Sequence, residues 1–374
     1  MRLLLLSDLN SAHTIKWATA LAERGLVVAV FGLSPCEHTL YQPFSNIQIA
    51  SAGLDRGLVR NSAAVVAKSR YLRAWFGVRR LVKRFRPDLL HAHFLTSYGL
   101  LGALAGFHPY LLSAWGSDVL LFPKRSPWHR ALLTFNLSRA DRVLATSQTM
   151  ARELEKYSRR RAVVTPFGVD LARFKPEPRP NDRFAATDIV IGTVKSLSER
   201  YGIDQLIKAF ALLKGRYPDL PLKLLIVGGG ELAQPLQQLA QALGLADCTI
   251  FTGPVSPAET PAFHNMIDIF VTLSNSESFG VSVLEASACG KPVVVSEVGG
   301  LPEVVAPGRT GFIVPPRDPA QAAAALERLV LDEPLRLKMG QAGRAWVREH
   351  YNWPDNVAQM IGIYDQVLPK KDAV

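Results

Sequence analysis

The feature that most limits how this chain can fold is an alternation that runs through nearly its whole length. Short Leu-rich or β-branched runs bounded by turn residues take turns with amphipathic helical stretches, the pattern of doubly wound parallel sheets. In the first half the runs predict strands at Leu3–Ser7, Val27–Phe31, Leu89–His93, Leu111–Ala114 and Arg142–Thr146. In the second half they fall at Ile189–Val194, Leu222–Val227, Thr249–Thr252, Ile269–Leu273 and Val293–Ser296, with helices such as Ile203–Lys214 and Leu232–Leu243 between them. At 374 residues the chain exceeds what one core usually supports, so two α/β sandwiches are expected. Pro176, Pro178 and Pro180 disfavour helix and sheet alike and mark a linker, which puts the boundary near residue 180.

Composition narrows the class. Apolar residues make up 48% and charged residues 20%, and no apolar run approaches the roughly 18–20 residues needed to span a bilayer. The opening Met1–Leu6 run stops at Ser7 and Asp8 with no small-residue cleavage site after it, so it reads as a first strand rather than a secretion signal. Cys36, Cys248 and Cys289 are far apart and lack histidines at zinc-finger spacing, which argues against a disulfide framework or structural zinc and favours the cytoplasm. The net charge of +11 is unevenly spread. Residues 1–183 hold 27 Lys/Arg against 12 Asp/Glu, and residues 184–374 hold 16 against 20. The first half therefore suits an anionic partner.

Open parallel sheets bind ligands beyond the carboxyl ends of their strands, so two facing sandwiches would form a cleft for a bipartite substrate such as a sugar nucleotide and an acceptor. The richest loop is Ser274–Pro292. A strand ends at Leu273, a polar turn carries Glu277, and a helix runs from about Val281 to Gly290. Gly280 stands at the helix entrance, where a bare backbone lets a phosphate reach the free amides of the first turn. Glu277 then lies on the sugar side, and Glu285 is placed to accept hydrogen bonds from a ribose diol.

Glu277 and Glu285, set in E-S-F-G-x-x-x-x-E-A-x-A-x-G-K-P, resemble the signature of family 4 retaining glycosyltransferases of the GT-B fold. Further likeness extends over most of the chain. Gly192–Gly202 resembles the family's G-R-L-x-x-x-K-G loop, with Lys195 for the arginine, Arg200 for the lysine and Tyr201 inserted before the glycine. Val227–Glu231 is similar to its V-G-x-G turn, Pro166–Asp170 to its P-x-G-V-D segment, and Val298–Glu303 and Gly311-Phe312 to other family positions. The resemblance implies that Lys195 and Arg200 hold the donor diphosphate, and that Phe279, Gly280, Val281, Leu284 and Glu285 bind the donor. It also implies a C-terminal segment, 353–374, that packs back on domain 1–180, with 181–352 as the nucleotide domain.

On the N-terminal side the family's glycine-rich loop is replaced by Asp8–Thr14, where Asn10, Ser11 and Ala12 are small enough to present backbone amides to a phosphate. His13, His93 and Trp115 are candidates for the sugar or acceptor side, and Asp118 for a catalytic contact. His91 shares a sheet face with His93, and packing is as good an account of either. Ser113–Asp118 resembles a family loop that commonly reads H-G-x-D, and Trp115 stands where many relatives carry histidine.

These readings predict metal-independent, configuration-retaining transfer of a hexose or N-acetylhexosamine from a nucleoside diphosphate sugar, UDP ahead of GDP, to a lipid-linked or polysaccharide hydroxyl. No cofactor, metal or nucleic acid is expected. Lys195, Arg200 and a helix terminus do the neutralising that a metal does elsewhere. A non-catalytic protein on a decayed scaffold and a nucleotide-sugar 2-epimerase are the alternatives. Finally, Lys68–Arg86 carries eight Lys/Arg in nineteen residues around an apolar stripe of Val78, Leu81, Val82 and Phe85, which suits either ordinary packing on a sheet or peripheral attachment to an anionic inner membrane face.

Overall fold

A computed structural model describes residues 1–37, 39–55, 67–179 and 183–369. The chain divides into two compact units, one comprising Met1–Thr165 and the residues from Val357 onward, the other Pro166–Asn356. The proline-rich stretch belongs to the second unit as far as it is described. Arg179 pairs with Asp268, the Glu177 amide donates to Asn265 Oδ1 at 3.0 Å, and Phe174 is buried. Pro180 to Asp182 lie outside the described residues.

The first unit holds seven parallel strands: β1 (Arg2–Leu6), β2 (Val27–Gly32), β3 (Ile47–Ser51), β4 (Leu89–His93), β5 (Tyr110–Ala114), β6 (Arg142–Ala145) and β7 (Val163–Val164). Their spatial order is β3-β2-β1-β4-β5-β6-β7. Leu3, Leu4, Leu5 and Leu6 are all fully buried, because helices cover both sheet faces, which is why this strand reads as a continuous apolar run. One face packs on the helices Ala67–Phe85, Ser97–Ala105 and Pro127–Arg139 through Leu4, Leu6, Ala92, Val78, Leu101 and Leu133. The other face meets the helices Ala12–Glu23 and Trp353–Val367, as the contacts Ser7–Thr14 and His91–Tyr364 show.

The second unit holds β8 (Ile189–Val194), β9 (Leu222–Val227), β10 (Thr249–Phe251), β11 (Ile269–Thr272), β12 (Val293–Ser296) and β13 (Gly311–Val314), all parallel, in the order β10-β9-β8-β11-β12-β13. Ser147, Asp318 and Asp332 cap their helices by accepting from the amides of Met150, Gln321 and Leu335. Three strands escape the sequence reading for physical reasons. β3 is a partly exposed edge, β7 has two residues, and β13 opens on glycine.

In each sheet the direction of winding reverses once, between β1 and β4 and between β8 and β11. The loops that leave β8, β9, β11 and β12 pack backbone to backbone at that end. Gly228, at φ +136°, lies where a Cβ would collide with the Lys195 carbonyl, and Gly299, at φ +54°, where it would collide with the Glu277 carbonyl. Both glycines permit that approach, so the glycine pair after β12 is explained by contact with the Glu277 loop.

Gly228→Ala is expected to destabilise the protein by about 2–4 kcal/mol through backbone strain and overlap. Gly215→Ala, in the helix Ile203–Arg216 with open space around it, should instead stabilise by up to about 1 kcal/mol. Thermal denaturation of the two variants would show midpoint shifts of opposite sign.

Candidate functional site

The second unit gathers its chemistry at the winding reversal. Lys195 follows β8 and Glu277 follows β11. Lys195 Nζ lies 2.5 Å from Glu277 Oε2, and the two side chains are only 11% and 8% exposed. Two buried charges are tolerated because each neutralises the other, and loss of either partner would strand the survivor in a poorly solvated place. Arg200 stands beside them. Its Nε donates to the Ser276 carbonyl at 3.1 Å, and its own carbonyl accepts from the Asn275 amide at 2.9 Å, which ties the β8 loop to the β11 loop. Tyr201, the inserted residue, sits under both cations, with Lys195 Nζ 4.7 Å and Arg200 Cζ 5.6 Å from its ring centre.

The helix Val281–Ala288 begins at Gly280, and its first turn has no side-chain cap among the described residues. Its N-terminus adds partial positive charge to that of Lys195 and Arg200. Phe279 and Leu284 are buried, and Phe279 packs edge-on against Phe167 and Tyr351. The side chains of these two expected donor contacts point into the unit and support the loop. Val281 and Glu285 are partly exposed.

Glu285 has a neighbour that sequence reasoning missed. His264 is fully buried against Phe174 and Phe270, and its Nε2 lies 3.4 Å from Glu285 Oε2. Neither ring nitrogen has a hydrogen-bond partner among the described residues. Nothing in the spacing of Phe263-His264-Asn265 signals this, because the approach depends on how Thr260–Met266 packs beside Val281–Ala288.

In the first unit the structure brings His13, His93 and Trp115 into one aromatic group. The His93 and Trp115 ring centres are 4.5 Å apart and those of His13 and Trp115 5.8 Å. Here too a polar contact crosses the reversal, since His93 Nδ1 is 3.1 Å from Ser7 Oγ, which is 2.6 Å from Thr14 Oγ1. His91 bonds Tyr364 Oη at 2.8 Å and Ser113 Oγ at 2.7 Å. Burial pushes the His91 imidazolium down to about 3 and holds His93 well below the ordinary histidine range, so both rings are neutral near pH 7.

Two further expected sites are held by hydrogen bonds within the chain. Asp118 is buried, and its carboxylate accepts from the amides of Leu95 at 2.8 Å, Gly116 at 2.7 Å and Trp115 at 3.3 Å. Burial raises its pKa and those amides pull it back. It is a clamp that shapes the Trp115 loop, with its oxygens already committed. Asn10 and Ser11 turn their amides onto Asp8, and the Asn10 side chain bridges Pro35 and Glu37.

Comparison with known proteins follows this geometry. Residues 174–346 match the family model of glycosyl transferases group 1, and residues 2–147 that of glycosyl transferase 4-like proteins. A GDP-mannose-dependent alpha-(1-6)-phosphatidylinositol monomannoside mannosyltransferase of Mycolicibacterium smegmatis is 37% identical over 52% of this chain and 54% of that one. A D-inositol 3-phosphate glycosyltransferase of Corynebacterium urealyticum is 31% identical over 74% and 71%. The match spans about half the length of several of these relatives. Among solved structures, sucrose-phosphate synthase from Thermosynechococcus elongatus superposes with a TM-score of 0.82 at 23% identity, covering 98% of each chain. Anabaena HepE in complex with UDP and glucose gives 0.80 at 20%, covering 98% and 100%.

Asp118→Ala should lower stability by about 3 kcal/mol, because three buried amides lose their acceptor. Urea denaturation monitored by tryptophan fluorescence would measure it, and Asp118→Asn, which keeps one carbonyl oxygen, should lose less.

Proposed function

Because this chain belongs to the glycosyl transferases group 1 family and has its GT-B-like fold, we propose that it transfers a hexose from a nucleoside diphosphate sugar to a hydroxyl with retention of configuration and without a metal. The observation that carries this reading is the buried Lys195–Glu277 pair at the winding reversal, with Arg200 beside it and the Gly280 helix terminus next to Glu277. A diphosphate arriving there would meet two cations and a helix N-terminus already held in place. As the bond from the anomeric carbon to the leaving phosphate oxygen breaks, negative charge grows on that oxygen, and fixed positive groups stabilise it most at that moment. The acceptor oxygen bonds to the same face of the anomeric carbon, and its proton passes to the departing phosphate. Glu277 keeps Lys195 in register and faces the sugar, while Glu285 receives the ribose hydroxyls.

The names of the relatives support a hexose donor, carried by GDP in one of them, and an acceptor that bears phosphate or lipid. The cationic first unit supports the same acceptor class. Trp115, partly exposed beside His13 and over the buried His93, would offer an aromatic face to a sugar ring, in the role that a histidine fills in many family members.

Lys195→Ala and Arg200→Ala should each lower turnover about 100-fold or more, corresponding to about 2.7–4 kcal/mol of lost transition-state stabilisation. Unchanged turnover in both would refute the phosphate assignment. Glu285→Ala should weaken binding of free UDP or GDP at least about tenfold by calorimetry, since charge-assisted hydrogen bonds contribute roughly 1.5–3 kcal/mol. Product NMR should show the donor's anomeric configuration, and turnover should survive EDTA. An inverted product, or loss reversed by magnesium, would overturn the mechanism.

A further inference from the structure

The first unit is not uniformly basic, and the unevenness follows its layers. The helices Ala67–Phe85, Ser97–Ala105 and Pro127–Arg139 lie side by side on one face of the sheet, and none of the three contains an aspartate or glutamate. Acidic residues return on the neighbouring helix Gln148–Glu155, as Glu153 and Glu155, and on the opposite face, as Glu23 and Asp365. A solvated helix usually mixes both signs, so three adjoining helices of one layer without an acid are a directional feature.

The sides turned away from the core carry more than charge. On Ala67–Phe85 the buried stripe is Ala74, Val78, Leu81 and Phe85, which disposes of the apolar residues that a membrane would otherwise compete for. The opposite side shows Phe76, 61% exposed, among exposed Arg79, Arg80, Lys83 and Arg84. On Pro127–Arg139, Leu133 and Leu137 face inward, while Trp128, 81% exposed, and Phe135 stand about two turns apart on the outside. Leu104 is exposed on the helix between them, and Lys124 and Arg125 are exposed in the turn before Trp128. Indole and phenyl rings projecting among cations, with no anion nearby on those helices, match the boundary between lipid headgroups and acyl chains. No helix among the described residues is long and apolar enough to cross a membrane.

We propose that the outer surface of this three-helix layer docks on an anionic lipid bilayer, with Arg79, Arg80, Lys83 and Arg84 against the headgroups and Trp128, Phe135 and Phe76 dipping below them. The whole layer lies flat on the surface, and the basic helix is one part of the contact rather than all of it. This deepens the lipid-bearing acceptor reading and rests on it for its purpose.

The test uses the full chain and vesicles that contain no acceptor, so failed docking and failed transfer are separate results. At low salt the protein should sediment with phosphatidylcholine vesicles containing phosphatidylglycerol, remain in solution with phosphatidylcholine alone, and be released at high salt. Arg80→Glu with Lys83→Glu should lower the partition coefficient at least about tenfold. Arg159→Glu with Arg161→Glu changes the net charge of the same unit equally at exposed sites outside the layer, and should leave partitioning within about twofold. Trp128→Ala should reduce it several-fold with the charge unchanged. Circular dichroism checks that each variant is folded. No sedimentation at low salt, equal loss in both charge-reversed pairs, or retention on a nucleic acid column without vesicle binding would overturn the proposal.

Discussion

The buried charges and hydrogen-bonded side chains of both units are placed by one constraint, that a parallel sheet covered by helices on both faces has little wet surface. Backbone groups are used up in the ladders and both faces are filled largely by apolar side chains, so buried charge gathers where strands end, while exposed charge such as Arg79 and Arg80 lies on the outer sides of the helices. At the one point in each sheet where winding reverses, adjacent strands send their loops in opposite directions and leave room between them. Lys195 and Glu277 occupy that room in one unit, and Ser7 and His93 in the other.

The cost of that placement explains the loops around Lys195. A close buried ion pair loses hydration on both partners and is retained only if its geometry is held. Here the holding is done by backbone. The Arg200 carbonyl accepts from Asn275, Gly300 donates to the Glu277 carbonyl at 3.2 Å, and Gly228 and Gly299 remove the side chains that would push the loops apart. Loops tied together in this way are already in place before any ligand arrives, which is what the proposed diphosphate binding would require.

The first unit solves a different problem with neutral groups. Its buried histidines cannot carry charge where they sit, and they serve as hydrogen-bonding spacers that connect β1, β4 and β5 with the flanking helices through Ser7, Thr14, Ser113 and Tyr364. Asp118 pins the loop that carries Trp115, and Trp115 in turn stacks over His93. The Trp115 ring is thus placed from the inside outward, by a buried carboxylate under its loop and a buried imidazole under its face.

Sequence by itself determined the elements and the main cluster of the second unit. Runs such as Leu3–Leu6 and Val293–Val295 are buried on both sides, so their composition states their class, and a glutamate pair around a glycine helix entrance states its chemistry because both lie on one short loop and helix. Lys195 and Arg200 were singled out only through the resemblance of their loop to a family motif. The edge strand Ile47–Ser51 was not, since a half-exposed edge lacks the apolar run that marks its neighbours. Tertiary structure alone decided what depends on distance across the fold. It set Asp118 on three amides, turned the Asn10 and Ser11 amides onto Asp8, buried Phe279 and Leu284, and brought His264 within 3.4 Å of Glu285. A side chain's type fixes which contacts it can make, but only the packing of distant segments fixes whether those contacts are already taken.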